Sequence, residues 1–191
     1  IHTLQTVRQK KFGQRLPEGS LLEFMNEADI LDTDLTLGHA IWLTEDDIEL
    51  VKSNDVSITH HAGCNLHLRN GIAPVANYLS TGIPVALGMD DKPISEDEDI
   101  FQEMRLINSI HNQKNKKLGE RSISPTDVFD MATRKASKIG DLPGYSGIIQ
   151  EGSAADIILI DKSRIEEPWV HPDTDIRTLL FHKGIAEDVK T

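Results

Sequence analysis

From Ile1 to about Lys138 the chain alternates short β-like runs with helical runs, and this alternation restricts the fold more than any other feature. Residues 35–39, 56–60 and 83–88 read as strands, and 1–4 as the end of one. Between them, 17–28 brings Leu21, Leu22, Met25 and Ala28 onto one helical face. Thr44 is placed to cap a helix whose first residues, Glu45, Asp46 and Asp47, suit its positive end. Residues 71–80 read as a helix that stops before Gly82. Ser95-Glu96-Asp97-Glu98 has the form of a capping box for a helix reaching about residue 112. Ser124-Pro125 opens another that runs to about Lys138. Strand and helix repeating in this way predict an α/β architecture, a parallel sheet with crossover helices.

Beyond Gly140 the pattern changes. Residues 147–149 and 155–161 read as strands separated by turn residues, with no long helix after them, so a domain boundary is expected at 140–147. A complete (β/α)8 barrel needs about 250 residues, and this chain has 191. Ile1 already sits in an apolar–polar alternation and 188–191 begin another strand, so the chain is expected to be a fragment.

The net charge of −11 and the absence of a basic stripe argue against nucleic acid as a partner. The one basic run, 114–117, reads as a solvated helix end. No apolar run is long enough to cross a bilayer, so no membrane partner is expected. A single cysteine, Cys64, excludes an intrachain disulfide and fits a reducing compartment, so a cytoplasmic location is expected.

The polar residues that carry chemistry fall at strand ends. His2, His39, His60 and Asp90 each lie at or just beyond the C-terminal end of an expected strand, the rim on which barrel enzymes build their sites. Imidazole nitrogen and carboxylate oxygen are ligands suited to zinc or iron. One such histidine is a weak signal; four in register along successive strands carry weight together.

These positions sit inside longer motifs. Gly38-His39-Ala40-Ile41-Trp42-Leu43, the run from Ser57 through His60, His61 and Asn65 to Leu66, Gly71-Ile72-Ala73-Pro74-Val75, Ala86-Leu87-Gly88-Met89-Asp90 and Gln102-Glu103-Met104-Arg105-Leu106 follow one another in that order. With Met131-Ala132-Thr133 and Gly152-Ser153-Ala154-Ala155-Asp156 further on, the chain resembles the cytosine deaminase/chlorohydrolase-like branch of the amidohydrolase superfamily along nearly its whole length. The resemblance implies the C-terminal half of a (β/α)8 TIM barrel over 1–143 and part of a small β-sandwich domain over 144–191. It implies one divalent metal, zinc first and iron(II) as the alternative, bound by His2, His39 and Asp90. Asp90, His39 and Gln5 take catalytic positions; His60, Asn65 and Trp42 take substrate-binding ones. The implied activity is an aminohydrolase or deaminase acting on a small N-heterocyclic compound, in a full-length protein that is a homo-oligomer.

Three departures qualify that expectation. The family's His-x-His after the first strand is absent, so this chain alone is expected to be inactive and to bind metal weakly. The His-x-x-Glu glutamate is Gln5, which can hydrogen-bond but cannot transfer a proton; hydrolysis of a cyclic amide, or a relative without catalysis, is therefore carried as the alternative. Asp90 is followed by Asp91 where the family has glycine, in an acidic loop, 91–99. Cys64 falls where the family has a small residue, and nucleophilic catalysis is not expected of it. His111, His171 and His182 read as surface residues, His61 and His67 as loop or rim residues.

Overall fold

The computed structural model describes residues 1–32, 34–91, 97–112, 122–141 and 143–190. Four strands, β1 (His2–Thr3), β2 (Thr36–His39), β3 (Ser57–His60) and β4 (Val85–Leu87), form one sheet in the order β1-β2-β3-β4. Every neighbouring pair is parallel, as the crossover pattern requires. The register pairs His2 with Gly38 and Thr3 with His39, so β1 and β2 end together. Leu37, Ile58, Val85 and Val56 are fully buried, so this sheet is the centre of the core.

The helices are α1 (Val7–Gly13), α2 (Leu21–Glu27), α3 (Glu45–Ser53), α4 (Ala62–His67), α5 (Val75–Thr81), α6 (Ile100–His111), α7 (Pro125–Ala132) and α8 (Arg134–Ile139). Thr44 caps α3 as expected: its hydroxyl accepts from Asp47 N–H, and the Asp47 carboxylate accepts from Thr44 N–H. The same carboxylate accepts from the Ser20 hydroxyl at 2.8 Å, which ties the start of α2 to that of α3.

Several elements differ from expectation. The helix expected over 17–28 begins only at Leu21, because Ser20 takes the cap and its hydroxyl accepts from Glu23 N–H. The helix expected over 71–80 begins at Val75. The 95–98 capping box falls partly, and the basic run 114–117 wholly, outside the described residues. The following helix, α6, opens at Ile100 on Asp99, which accepts from Phe101 N–H and also from the distant Ala186 N–H. Thr133 divides the last expected helix into α7 and α8 by donating its hydroxyl to Phe129 O. Helices α1 and α4 were not expected from the sequence; α1 is capped by Thr6 with Gln9, a box present in the sequence.

After Gly140 the chain forms β5 (Leu159–Ile160), α9 (Lys162–Glu166), α10 (Ile176–Lys183) and β6 (Val189–Lys190), with β5 and β6 antiparallel. Residues 147–149 are not a strand: Ile149 is 88% exposed, and an apolar β-branched run without a neighbouring strand has no ladder to join. The strand expected over 155–161 shrinks to Leu159–Ile160, the two residues that pair with β6. A helix does follow, and it packs back: Arg105 on α6 donates to Phe181 O and Gly184 O, each at 3.0 Å.

Candidate metal centre

Side chains at the C-terminal ends of β1 and β2 and just beyond β4 converge on one point. The ligating atoms of His2, His39 and Asp90 all lie within 4.8 Å of one another. His39 Nε2 is 3.3 Å from His2 Nδ1 and 3.4 Å from Asp90 Oδ2, and His2 Nε2 is 3.6 Å from Asp90 Oδ1. His39 is fully buried, Asp90 partly and His2 mostly exposed, so the cluster opens toward solvent on the His2 side. Two imidazoles and a carboxylate are the donor set a zinc-type cation takes, and three protein ligands leave room for a water. The donor chemistry fits the metal the sequence implies.

The rim is built from strained backbone. Leu4 after β1, His39 and Ala40 at the end of β2, and Asp90 and Asp91 after β4 all have positive φ, between 47° and 71°. Non-glycine residues in this region cost of order 1–3 kcal/mol each and persist where surroundings hold them. One holding contact is visible. Tyr78 of α5, fully buried, donates its hydroxyl to Ala40 O at 2.5 Å, directly after His39. Burial drives the Tyr78 phenol well above its ordinary pKa, so it remains a donor.

Asn65, expected to touch substrate, supports His39: its Oδ1 lies 2.9 Å from His39 Nδ1, and the residue is 1% exposed. Its Nδ2 is buried without a partner among the described residues. Burial lowers the His39 pKa, while the Asn65 hydrogen bond and the Asp90 charge oppose that, and a neutral ring is the form that ligates. His60, also expected on the pocket wall, faces the other way. Thr59 pairs with Gly38, and His60 packs toward α6. His60 is fully buried with its Nε2 3.4 Å from His111 Nε2 on α6; burial first, then His111, pushes its pKa well down. His111, expected at the surface, is thus buried. Trp42 donates its indole N–H to Asn70 O and packs under Gly71, shaping the loop before α5. Gln5 is half-buried, three residues beyond His2, with its backbone N–H on Gln9 Oε1.

The structure brings in residues to which the sequence assigned no catalytic or ligand role. His61, not His60, reaches the cluster: its ring centroid is 4.8 Å from that of His39, and its Nε2 meets Thr59 Oγ1 at 2.9 Å. Burial first, then His39, lowers its pKa to about 4. Gly88 makes room for it, since a Cβ there would lie 2.5 Å from His61 Cε1. The Cys64 S–H donates to Asp90 Oδ2 at 3.0 Å. Burial and Asp90 push that thiol up to about 12, which removes the thiolate a nucleophile needs. Glu103 is 2% exposed and accepts from Gly63 N–H at 3.0 Å, which joins α6 to the start of α4. The signal for His61 was the doublet His60-His61: alternation puts only one of two neighbours on a given face, and the local twist decides which. Among the described residues no helix is long and apolar enough to cross a membrane.

Comparison with known proteins places the cluster in a familiar setting. A family model described as the Amidohydrolase family matches residues 2–186. A 5-methylthioadenosine/S-adenosylhomocysteine deaminase of Pyrococcus horikoshii is 33% identical over all of this chain and 44% of its own length. An adenosine deaminase from Xanthomonas campestris with bound zinc superposes with a TM-score of 0.80 at 19% identity, over 98% of this chain and 42% of its own. An atrazine chlorohydrolase from Arthrobacter aurescens, complexed with zinc, gives 0.80 at 22% identity, over 96% of this chain and 40% of its own. The chain spans less than half the length of the relatives it matches.

Proposed function

The chain belongs to the amidohydrolase family, and on that premise we propose that it is the C-terminal part of a metal-dependent aminohydrolase acting on a small N-heterocyclic amine. The observation that carries this is the convergence of His2, His39 and Asp90 at the C-terminal ends of parallel strands. In this reading the four-stranded sheet is half of a (β/α)8 barrel over residues 1–143, and 144–191 belong to the flanking β domain. The named activity of the Pyrococcus horikoshii relative favours a 5′-modified adenine nucleoside as substrate.

His2, His39 and Asp90 would hold the divalent metal, zinc being the one bound by two of the solved neighbours. When bound, such a cation lowers the pKa of a water and polarises the carbon it attacks. Asp90 accepts the proton of the attacking water and returns it to the leaving amine, so that the C–N bond breaks and ammonia departs. His39, kept neutral by burial, offers Nε2 to the centre. Asn65 Nδ2 is a buried donor with no partner among the described residues, suited to a polar substrate edge. Gln5 presents an amide where the family carries an acid and supplies no proton. That residue supports the second reading, hydrolysis of a cyclic amide, in which no ring nitrogen needs protonation.

The test is ammonia release from 5′-methylthioadenosine, 5′-deoxyadenosine and guanine by the full-length protein, with metal content measured beside it. The expected result is a stoichiometric divalent metal and turnover that His39→Ala abolishes. A metal-loaded protein that releases no ammonia yet opens a cyclic amide moves the assignment to the second reading. A protein with neither metal nor turnover ends the enzymatic one.

A further inference from the structure

Helix α4 is a single short helix, yet successive side chains on it reach two different members of the cluster. Cys64 touches Asp90, which follows β4, and Asn65 touches His39, which ends β2. Both are 1% exposed, so water does not compete for either hydrogen bond. The turn is fixed from its far side too: Gly63 N–H, at its start, is held by the buried Glu103 of α6 at 3.0 Å. Three consecutive residues therefore link α6 to both ligands.

We propose that α4 is the outer support of the metal centre, with Cys64 positioning Asp90 and Asn65 positioning His39. This rests on the metal-centre reading above. With Nδ1–H given to Asn65 Oδ1, the His39 lone pair is on Nε2, the atom 3.3 Å from His2 and 3.4 Å from Asp90. With the Cys64 S–H on Oδ2, the Asp90 carboxylate is oriented so that Oδ1 turns toward His2 Nε2. The thiol is a weak donor, so it orients the carboxylate while withdrawing little of its basicity. Partners of this kind fix the tautomer and ring orientation of a ligand, and their loss typically costs about 10–100-fold in metal affinity.

Two readouts need no metal. The chain has one cysteine, so its S–H stretching band belongs to Cys64 alone. The band is expected at lower frequency than a free thiol's and should rise in Asp90→Asn, whose amide is the weaker acceptor. Nitrogen-15 spectra, with His39 assigned through His39→Gln, should show the Nδ1–H tautomer, and Asn65→Leu should admit the Nε2–H form. A free-thiol band, or an Nε2–H His39 in the unaltered chain, overturns the proposal. The third readout is cobalt(II) titration of the full chain, followed by its visible absorption. Cys64→Ala and Asn65→Leu should weaken binding about 10–100-fold. Cys64→Ser keeps a donor and Asn65→Asp an acceptor, and both should stay within a few-fold of the parent. Ser and Ala are both smaller than Cys, so equal losses in the two would reduce Cys64 to packing and overturn its role. If the unaltered full-length protein takes up no cobalt while both spectra are as expected, it is the metal-centre reading that fails, and this inference falls with it.

Discussion

Tyr78→Phe is the most direct probe of how the rim is held. The change deletes one hydroxyl and leaves the ring in place. That hydroxyl is the donor to Ala40 O at 2.5 Å, and both residues are fully buried, so no water can replace it. A buried carbonyl left without a partner costs about 1–3 kcal/mol. Ala40 also sits at φ 47° next to His39 at φ 71°, so the lost contact is one that keeps two strained residues in place. For a chain of this size a loss of 1–3 kcal/mol lowers the melting temperature by roughly 2–12 °C, at about 2–4 °C per kcal/mol. Denaturation followed by circular dichroism measures the midpoint in heat and in urea, and the urea slope should not change. A variant whose midpoints match the parent's would show that the Ala40 carbonyl does not depend on Tyr78, and that the bend after β2 is held by packing alone.

Three more expectations can be checked separately. His61 is neutral in the fold with its pKa lowered to about 4, so the unfolded chain binds the proton first as pH falls; stability is full above about 6.5 and is lost toward about 4. At 1.36 kcal/mol per pKa unit His61 accounts for up to about 3 kcal/mol of that loss; His60 acts in the same direction, and His61→Gln should flatten the urea midpoint between pH 6.5 and 4, an unchanged slope being the contrary result. Gly88→Ala drives a Cβ to 2.5 Å from His61 Cε1, which should displace the ring, break its contact with Thr59 and cost about 1–3 kcal/mol, read as a lower melting temperature that His61→Ala restores. Gln5→Glu in the full-length protein should raise the rate on an aminated heterocycle by about 10²–10⁴-fold while leaving a cyclic amide little changed; an unaltered heterocycle rate would make Gln5 a pocket wall.

The alternation of strand and helix through residue 138, and histidines and aspartate at strand ends, were legible in the sequence because both are properties of short stretches. A strand that crosses over to a parallel neighbour brings its C-terminal end to the same rim each time, so placing His2, His39 and Asp90 together needed only the topology. The thiol donor, the Asn65 contact and the exchange of His60 for His61 were not legible, since each depends on which face a side chain takes after a strand ends. The Asp99 cap also accepts from Ala186, eighty-seven residues away, and the 147–149 run failed as a strand for want of a neighbour. Local pattern determined the alternation of strand and helix and the end of the sheet at which His2, His39 and Asp90 gather. Tertiary structure decided which residues meet there, because hydrogen bonds only a few ångströms long join segments that the sequence holds far apart.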